Sequence, residues 1–343
     1  MSGIRVLTIL ALIATPILVL VLTAPGCDQP EPTDYLVQLD TPGFTRDLAL
    51  VETTLVVADG PGGLRFVDVD TPTKPQVLGQ FATAGSANCV AVEGKMAVVG
   101  MGYAGLVVVD FSDPRNPVQL GRYDLKNVRD ILVRDALAFC AADQLVVLDL
   151  SDPAAPVVVF QEEVRQPQQL ALAGSYLLRV RASPDSPGTT FELLDFTDPA
   201  APELVCTVRF GELVTARNLA VTGNRAYVAG SGAVVTRRAA ASAWLNALDI
   251  SNPVAVAKLW QTPFSGRAVG LAVAQDELLL ATDTGWLMLA DLRDTDNVRW
   301  FGSVPFADPY DLLLHDGFAF GARGASGVSI IDLTFLRDSS LGF

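Results

Sequence analysis

The chain has 343 residues, half of them hydrophobic, and a formal net charge of −14 at neutral pH. An acidic excess of this size argues against binding to nucleic acid and against electrostatic attraction to anionic lipid head groups. The only histidine, His315, gives no basis for a histidine-rich zinc or iron site. Composition therefore excludes several classes of function without selecting one.

The first 27 residues form a separate segment. A weakly positive start, Met1–Arg5, precedes an apolar stretch of 18 residues, Val6–Thr23, and then the short sequence Ala24–Cys27. As a helix the stretch would span about 27 Å, so its length does not separate a cleaved signal from a retained anchor. The small residues before Cys27 and the polar, Pro-rich sequence after it resemble a bacterial lipoprotein signal. An ordinary signal peptide or a retained anchor is the alternative.

The lipoprotein resemblance implies that residues 1–26 are a signal peptide and that Cys27 is the lipid-modified first residue of a tether, residues 27–34. Several acyl chains on one cysteine bury more CH₂ groups than the single chain that gives only marginal binding. We therefore expect a membrane-attached protein of the bacterial cell envelope, on the periplasmic or the surface side.

An apolar run that ends in Asp recurs seven times along the rest of the chain. The seven runs are Leu64–Asp68, Leu106–Asp110, Leu145–Asp149, Phe191–Asp195, Leu245–Asp249, Leu287–Asp291 and Val328–Asp332. The spacings from Asp to Asp are 42, 39, 46, 54, 42 and 41 residues. A period of about 40–45 residues with several short apolar runs predicts the blades of a β-propeller.

The second repeat shows the order of strands within one period. Three apolar runs, Cys89–Val92, Met96–Gly100 and Leu106–Phe111, are followed by the breaker Ser112–Pro117 and a fourth run, Val118–Tyr123. Proline has no N–H to donate, so the breaker interrupts the sheet. Four antiparallel strands joined by short turns make one blade. The sequence predicts an all-β, seven-bladed propeller of four-stranded antiparallel blades over residues 35–343.

The Leu/Val-rich strand ending in Asp, followed by Ser/Thr-Asp-Pro, resembles the LVIVD-repeat family of bacterial β-propeller proteins over roughly residues 35–335. This resemblance implies a fold and no shared catalytic site. The repeated Asp residues are expected to accept N–H groups of the turns that follow them.

The two ends of the chain are predicted to complete one blade. The seventh repeat stops after its third strand, and Tyr35–Leu39 looks like an isolated fourth strand. We expect it to pair with the strand around Val328–Leu333, because closure removes unpaired strand edges.

Polar residues lead into the first strands of several blades, at the end of the ring where the channel opens. The candidate ligand-binding residues there are Arg46, Asp47, Arg129, Asp130, Arg217, Asn218, Tyr310 and Asp311. Two interpretations stay open. The arginines and aspartates pair with one another to fill a wet channel, or the arginines hold a small anionic or polar ligand.

Two classes of function fit this pattern. The favoured one is a non-enzymatic, lipid-anchored binding or scaffold module for proteins or envelope components. The alternative is a propeller hydrolase or lyase that acts on a sugar or an ester at an axial polar site, where Asp47, Asp130 and Asp311 would share a calcium ion against the repulsion of nearby arginines. No catalytic residue, metal site or cofactor is predicted, and Cys89, Cys140 and Cys206 are interpreted as small apolar residues without disulfides.

Overall fold

A computed structural model describes residues 35–163, 169–182, 188–211, 215–232, 242–294, 297–307 and 309–337. The predicted signal peptide, Cys27 and the tether lie outside these residues. Within them the strands form seven four-stranded antiparallel sheets, so the predicted seven-bladed propeller is confirmed. No helix in the described ranges has the length and hydrophobicity needed to cross a membrane.

The innermost strands of the seven blades contact one another in a closed circle. They are β2 (Asp47–Val51), β6 (Cys89–Glu93), β10 (Asp130–Arg134), β14 (Gln169–Ala173), β18 (Thr215–Thr222), β22 (Ala268–Ala274) and β26 (Asp311–His315). The second strands are β3 (Thr54–Ala58), β7 (Met96–Gly100), β11 (Leu137–Ala141), β15 (Tyr176–Ala182), β19 (Arg225–Ser231), β23 (Glu277–Thr282) and β27 (Phe318–Ala322).

The third strands carry the seven repeated apolar runs, and the fourth strands form the outer rim. The third strands are β4 (Leu64–Asp68), β8 (Leu106–Asp110), β12 (Leu145–Asp149), β16 (Thr189–Asp195), β20 (Ser242–Asp249), β24 (Trp286–Asp291) and β28 (Val328–Asp332). The fourth strands are β5 (Gln76–Phe81), β9 (Val118–Tyr123), β13 (Val157–Glu162), β17 (Glu203–Phe210), β21 (Ala257–Ser265), β25 (Arg299–Pro305) and, for the seventh blade, β1 (Leu36–Leu39).

The seventh blade closes the ring as the sequence predicts. Strand β1 pairs with β28 in a register that sets Leu36 opposite Ile331 and Leu39 opposite Val328. A short helix, α1 (Thr334–Arg337), follows β28. The ring of its Phe335 lies 4.7 Å from that of Tyr35 between centroids, so both ends of the chain pack on each other.

Each repeated Asp begins a turn by accepting a hydrogen bond from the backbone N–H two residues further on, at 2.8–2.9 Å. The prediction for these residues is confirmed in all seven blades. Hydrogen bonds from the following Ser or Thr, first from its hydroxyl and then from its amide, lower the pKa of Asp110, Asp149, Asp195 and Asp249. These carboxylates therefore organise the turns at one end of the ring.

The core consists of apolar clusters between neighbouring blades. Each of the seven interfaces between adjacent blades holds one such cluster of buried side chains. Between the first two blades, for example, the rings of Phe66 and Phe111 stack with their centroids 5.1 Å apart. Because both faces of a middle strand are covered, these strands read as continuous apolar runs.

Asn246 is an exception within this core. It occupies the second position of the repeated run in the fifth blade, where it is 1% exposed and pairs with Val228. Neither of its side-chain polar atoms has a hydrogen-bond partner among the described residues. A buried amide without partners carries a desolvation penalty of about 1–3 kcal/mol.

We expect Asn246→Val to raise the free energy of unfolding by about 1–2 kcal/mol, because it removes this penalty and adds apolar contacts. The matched control is the reverse change, Val146→Asn, at the same repeat position of the third blade, where Val146 is 1% exposed. It should lower the free energy of unfolding by a similar or larger amount. Urea unfolding of both variants measures the two effects, and a destabilised Asn246→Val would contradict the account.

Candidate functional site

The loops that lead into the innermost strands and the loops that join second to third strands lie at one end of the ring, termed the cavity face. The opposite end, where the repeated Asp turns lie, is termed the turn face. At the cavity face described residues from all seven blades surround a cavity of about 1080 Å³. This volume slightly exceeds the roughly 300–1,000 Å³ typical of ligand pockets.

Seven of the eight candidate residues line this one cavity. They are Arg46, Asp47, Arg129, Asp130, Asn218, Tyr310 and Asp311. Arg217 lies in β18 where the register with β19 shifts, and its side chain falls outside the described part of the structure. The structure thus brings the predicted side chains together, and their role in ligand binding stays a prediction.

The first residues of several innermost strands tie one blade to the next. Asp47 accepts a hydrogen bond from Val90 N at 2.7 Å, and Asp130 accepts one from Leu170 N at 2.8 Å. We call this set of contacts the axial clasp. Three further contacts belong to it. Asp311 accepts from Leu48 N at 3.2 Å, and Gln169 accepts from Leu219 N. Asn218 donates from Nδ2 to Ala268 O at 3.1 Å.

Two blades carry small residues at the clasp position. The second blade has the buried Cys89, and the sixth has Gly270. A Cβ atom on Gly270 would lie 2.8 Å from side-chain carbons of Leu312 in the seventh blade. Glycine therefore leaves room for the neighbouring blade at this junction.

The contacts differ from the first interpretation, in which Arg and Asp neighbours pair across a wet channel. The aspartates bind backbone amides, whereas the guanidinium of Arg129 lies 3.3 Å from Asp143. The guanidinium of Arg46 lies over the ring of Phe44, 5.2 Å from its centroid. The difference arises because an amide of the next blade lies within reach of each clasp carboxylate.

Burial at the cavity floor changes the protonation of the clasp carboxyls. It raises the pKa of Asp130 to about 7 and that of Asp311 to about 6. The pKa of Asp47 is raised well above its usual value, first by burial and then by the charge of Asp311. Both Asp47 and Asp311 accept from Leu48 N, at 2.9 and 3.2 Å. Both carboxyls therefore hold a proton to higher pH than an exposed aspartate does.

Sequence reasoning missed two arginines that line the cavity, Arg267 and Arg323. Arg267 pairs with Asp283 at 2.8 Å, which repeats the arrangement of Arg129 and Asp143. The shared signal is an Arg before the first strand and an Asp after the second. A register shift at the start of β22 hides it by inserting one residue.

The described residues contain no group of three or more His, Cys, Asp or Glu side chains that could hold a metal ion. Each of Asp47, Asp130 and Asp311 is instead engaged with a backbone amide. His315 lies at the turn-face end of β26, where its ring is 3.3 Å from Asp316. The three carboxyls that the enzymatic alternative assigns to calcium therefore each contact the next blade in the described structure.

The fold and the cavity define a β-propeller, and comparison with protein families adds the kind of repeat. The LVIVD repeat matches residues 42–83, 84–125, 126–162 and 215–235, so the chain contains LVIVD repeats. The first three matches coincide with the first three blades. A comparison with curated proteins finds no match.

Solved structures with the same fold are distant in sequence. A chain in the crystal structure of the Mitotic Checkpoint Complex has a TM-score of 0.67 at 11% identity, over 93% of this chain and 99% of that chain. The WD40 propeller domain of Doa1 has a TM-score of 0.65 at 11% identity, over 89% and 99%. BamB from Moraxella catarrhalis has a TM-score of 0.55 at 12% identity, over 84% and 83%. At this identity the likeness concerns the fold alone.

The raised pKa of Asp130 makes stability depend on pH. Between pH 4 and 7 the folded protein holds a proton on this carboxyl that the unfolded chain releases, so its contribution is complete below about pH 4 and declines as the pH rises through 7. Asp130→Asn keeps an oxygen for Leu170 N and cannot titrate. We expect its free energy of unfolding to fall less between pH 5 and 8 than that of the wild type. The difference should be roughly 1–2 kcal/mol, because Asp130 is only half-buried and solvent in the cavity reduces the effect.

Urea unfolding at several pH values checks this expectation. The control is Asp124→Asn, which makes the same charge change at an exposed residue of the cavity face. It should leave the pH dependence as in the wild type. Equal pH dependence in Asp130→Asn and the wild type would contradict the assignment.

Proposed function

We propose that the protein is a lipid-anchored, non-enzymatic binding module of the bacterial cell envelope, which holds a protein or another envelope component at its cavity face. The cavity carries this proposal. It is a polar opening of about 1080 Å³ on a closed ring, and its floor carboxylates are engaged in joining the blades. Loops on a rigid scaffold are where binding sites commonly lie.

The direction of β1 supports an outward-facing cavity. Tyr35 O accepts a hydrogen bond from Asp332 N at 2.9 Å, which puts the start of the described chain at the turn face. The seven residues between Cys27 and Tyr35 can span at most about 25 Å. A lipid on Cys27 would therefore attach the propeller by its turn face and leave the cavity face directed away from the membrane.

The charge of the turn face fits the same orientation. All seven repeated Asp residues lie there, and four of them have pKa values lowered by the hydroxyl and the amide of the turn residue that follows. Ionised carboxylates and anionic head groups repel each other. The propeller would thus lie away from the bilayer surface and stay attached to it through its tether.

The three carboxyls that the enzymatic alternative would use each accept a backbone N–H of the next blade. These contacts give the carboxyls a structural role, which a binding module accommodates.

Site-directed photo-crosslinking tests the proposal in bacteria that express the full-length chain. A photoreactive phenylalanine analogue replaces Tyr310, which is 51% exposed and lines the cavity. The matched control replaces Val254, which is 71% exposed in a turn of the turn face. We expect a discrete crosslinked product from position 310 only, because the partner contacts the cavity face.

Crosslinks from position 254 alone, or from neither position, would contradict the proposed binding face. The anchor is examined in the same cells by Cys27→Ser. We expect this variant to leave the membrane fraction for the soluble fraction, and retention in the membrane would contradict lipidation at Cys27.

A further inference from the structure

Two arginines of the cavity face each other at the junction where the ring closes. Thr45 and Gly324 form an isolated antiparallel bridge, with Thr45 N to Gly324 O at 3.0 Å and Gly324 N to Thr45 O at 2.9 Å. In such a bridge the residue after one partner lies opposite the residue before the other. Arg46 of the first blade and Arg323 of the seventh are therefore opposed, and both line the cavity.

Like charges on facing residues of neighbouring chain segments destabilise each other. Among the described residues neither guanidinium forms an ion pair with a carboxylate. Arg46 lies over Phe44, and Arg323 lies over Phe306, each with its Cζ atom 5.2 Å from the ring centroid. The two cations thus concentrate positive charge that the described part of the protein leaves uncompensated.

The other cavity arginines provide an internal contrast. Arg129 pairs with Asp143 at 3.3 Å, and Arg267 pairs with Asp283 at 2.8 Å. Their charge is balanced within their own blades. The opposed pair is therefore distinct from the general arginine content of the rim.

Aromatic packing and hydrogen bonds hold the opposed pair in place. The rings of Phe44 and Tyr310 meet edge to face at 5.1 Å, and a Cβ atom on Gly324 would lie within 3 Å of both rings. Arg323 donates from Nε to Ala307 O at 2.9 Å and from Nη1 to Ser329 Oγ at 3.1 Å. This ordering reduces the loss of side-chain entropy when a ligand binds.

We propose that Arg46 and Arg323, with Tyr310 beside them, bind an oxyanion: a carboxylate or phosphate group of a small molecule, or an acidic side chain of a partner protein that enters the cavity. Guanidinium groups match the planar oxygens of such groups with paired hydrogen bonds. This inference rests on the proposed function and specifies the chemistry of its site.

Asp47 and Asp311, which follow Arg46 and Tyr310 in sequence, line the same cavity. Both accept from Leu48 N, and burial raises the pKa of each carboxyl above its usual value. The floor beneath the arginines therefore carries less negative charge than two free aspartates would.

Isothermal titration calorimetry of the full-length protein in non-ionic detergent tests the proposal. The probes are citrate, inorganic phosphate and hexaglutamate, at low ionic strength of about 20 mM, where charge attraction is little screened. We expect at least one probe to bind, and Arg46→Gln and Arg323→Gln each to weaken that binding roughly tenfold or more. Which probe binds distinguishes a small carboxylate, a phosphate and an acidic peptide as the source of the oxyanion.

Arg115→Gln is the matched control, because it makes the same charge change at an exposed residue of the turn face. It should change affinity by less than twofold. Arg46 makes no side-chain hydrogen bond within the described residues, so Arg46→Gln should retain the thermal unfolding curve of the wild type even where Arg323→Gln does not. Arg46→Gln therefore measures the loss of binding in a protein that is still folded.

The proposal is overturned if the wild type binds none of the three probes, or if Arg46→Gln binds as tightly as Arg115→Gln. In that case a crosslink from position 310 would still support the binding module. If a probe binds but no crosslink forms, the oxyanion site is supported and the proposed binding of a partner is contradicted.

Discussion

Closure of the ring by β1 on β28 is the constraint on which the rest of this structure depends. Strand β1 precedes the first blade in the chain and pairs within the last, so its four backbone pairs from Leu36 to Leu39 join these two blades. The strand edge of β28 is thereby covered, which removes a template for aggregation. The cavity exists because closure holds seven sets of loops around a common centre.

Two kinds of contact then hold the closed ring. Apolar clusters fill the interfaces between blades, and the axial clasp joins innermost strands near the cavity floor. The clasp engages Asp47, Asp130 and Asp311 with backbone amides of the next blade. Arginines line the same cavity, and two of them, Arg129 and Arg267, pair with carboxylates of their own blades.

The repeat pattern predicted the features that repeat. The seven Asp turns, the number of blades and the pairing of Tyr35–Leu39 with the last blade follow from periodicity and from the chemistry of Asx turns. The convergence of residues such as Arg46 and Tyr310 followed from their common position ahead of the first strands. Local sequence carries this information because each blade is built in the same order.

The sequence did not predict the hydrogen-bond and ion-pair partners of individual side chains. Asp130 binds an amide of the next blade, and Arg129 pairs with an Asp fourteen positions away in the chain. Register shifts in β18 and β22 insert a residue into the first strands of the fifth and sixth blades. Alignment of the repeats by sequence therefore did not identify Arg267 as a cavity residue. The opposition of Arg46 and Arg323 arises from contact between the two ends of the propeller, which no single repeat contains.

Hydrogen exchange after deletion of residues 35–40 tests most directly whether closure supports the whole ring. Peptides from every innermost strand, including β14 on the far side from the joint, should lose protection in this variant, whereas deletion of residues 28–33 should leave protection as in the full-length chain. Loss confined to β27 and β28, with β14 still protected, would contradict the account.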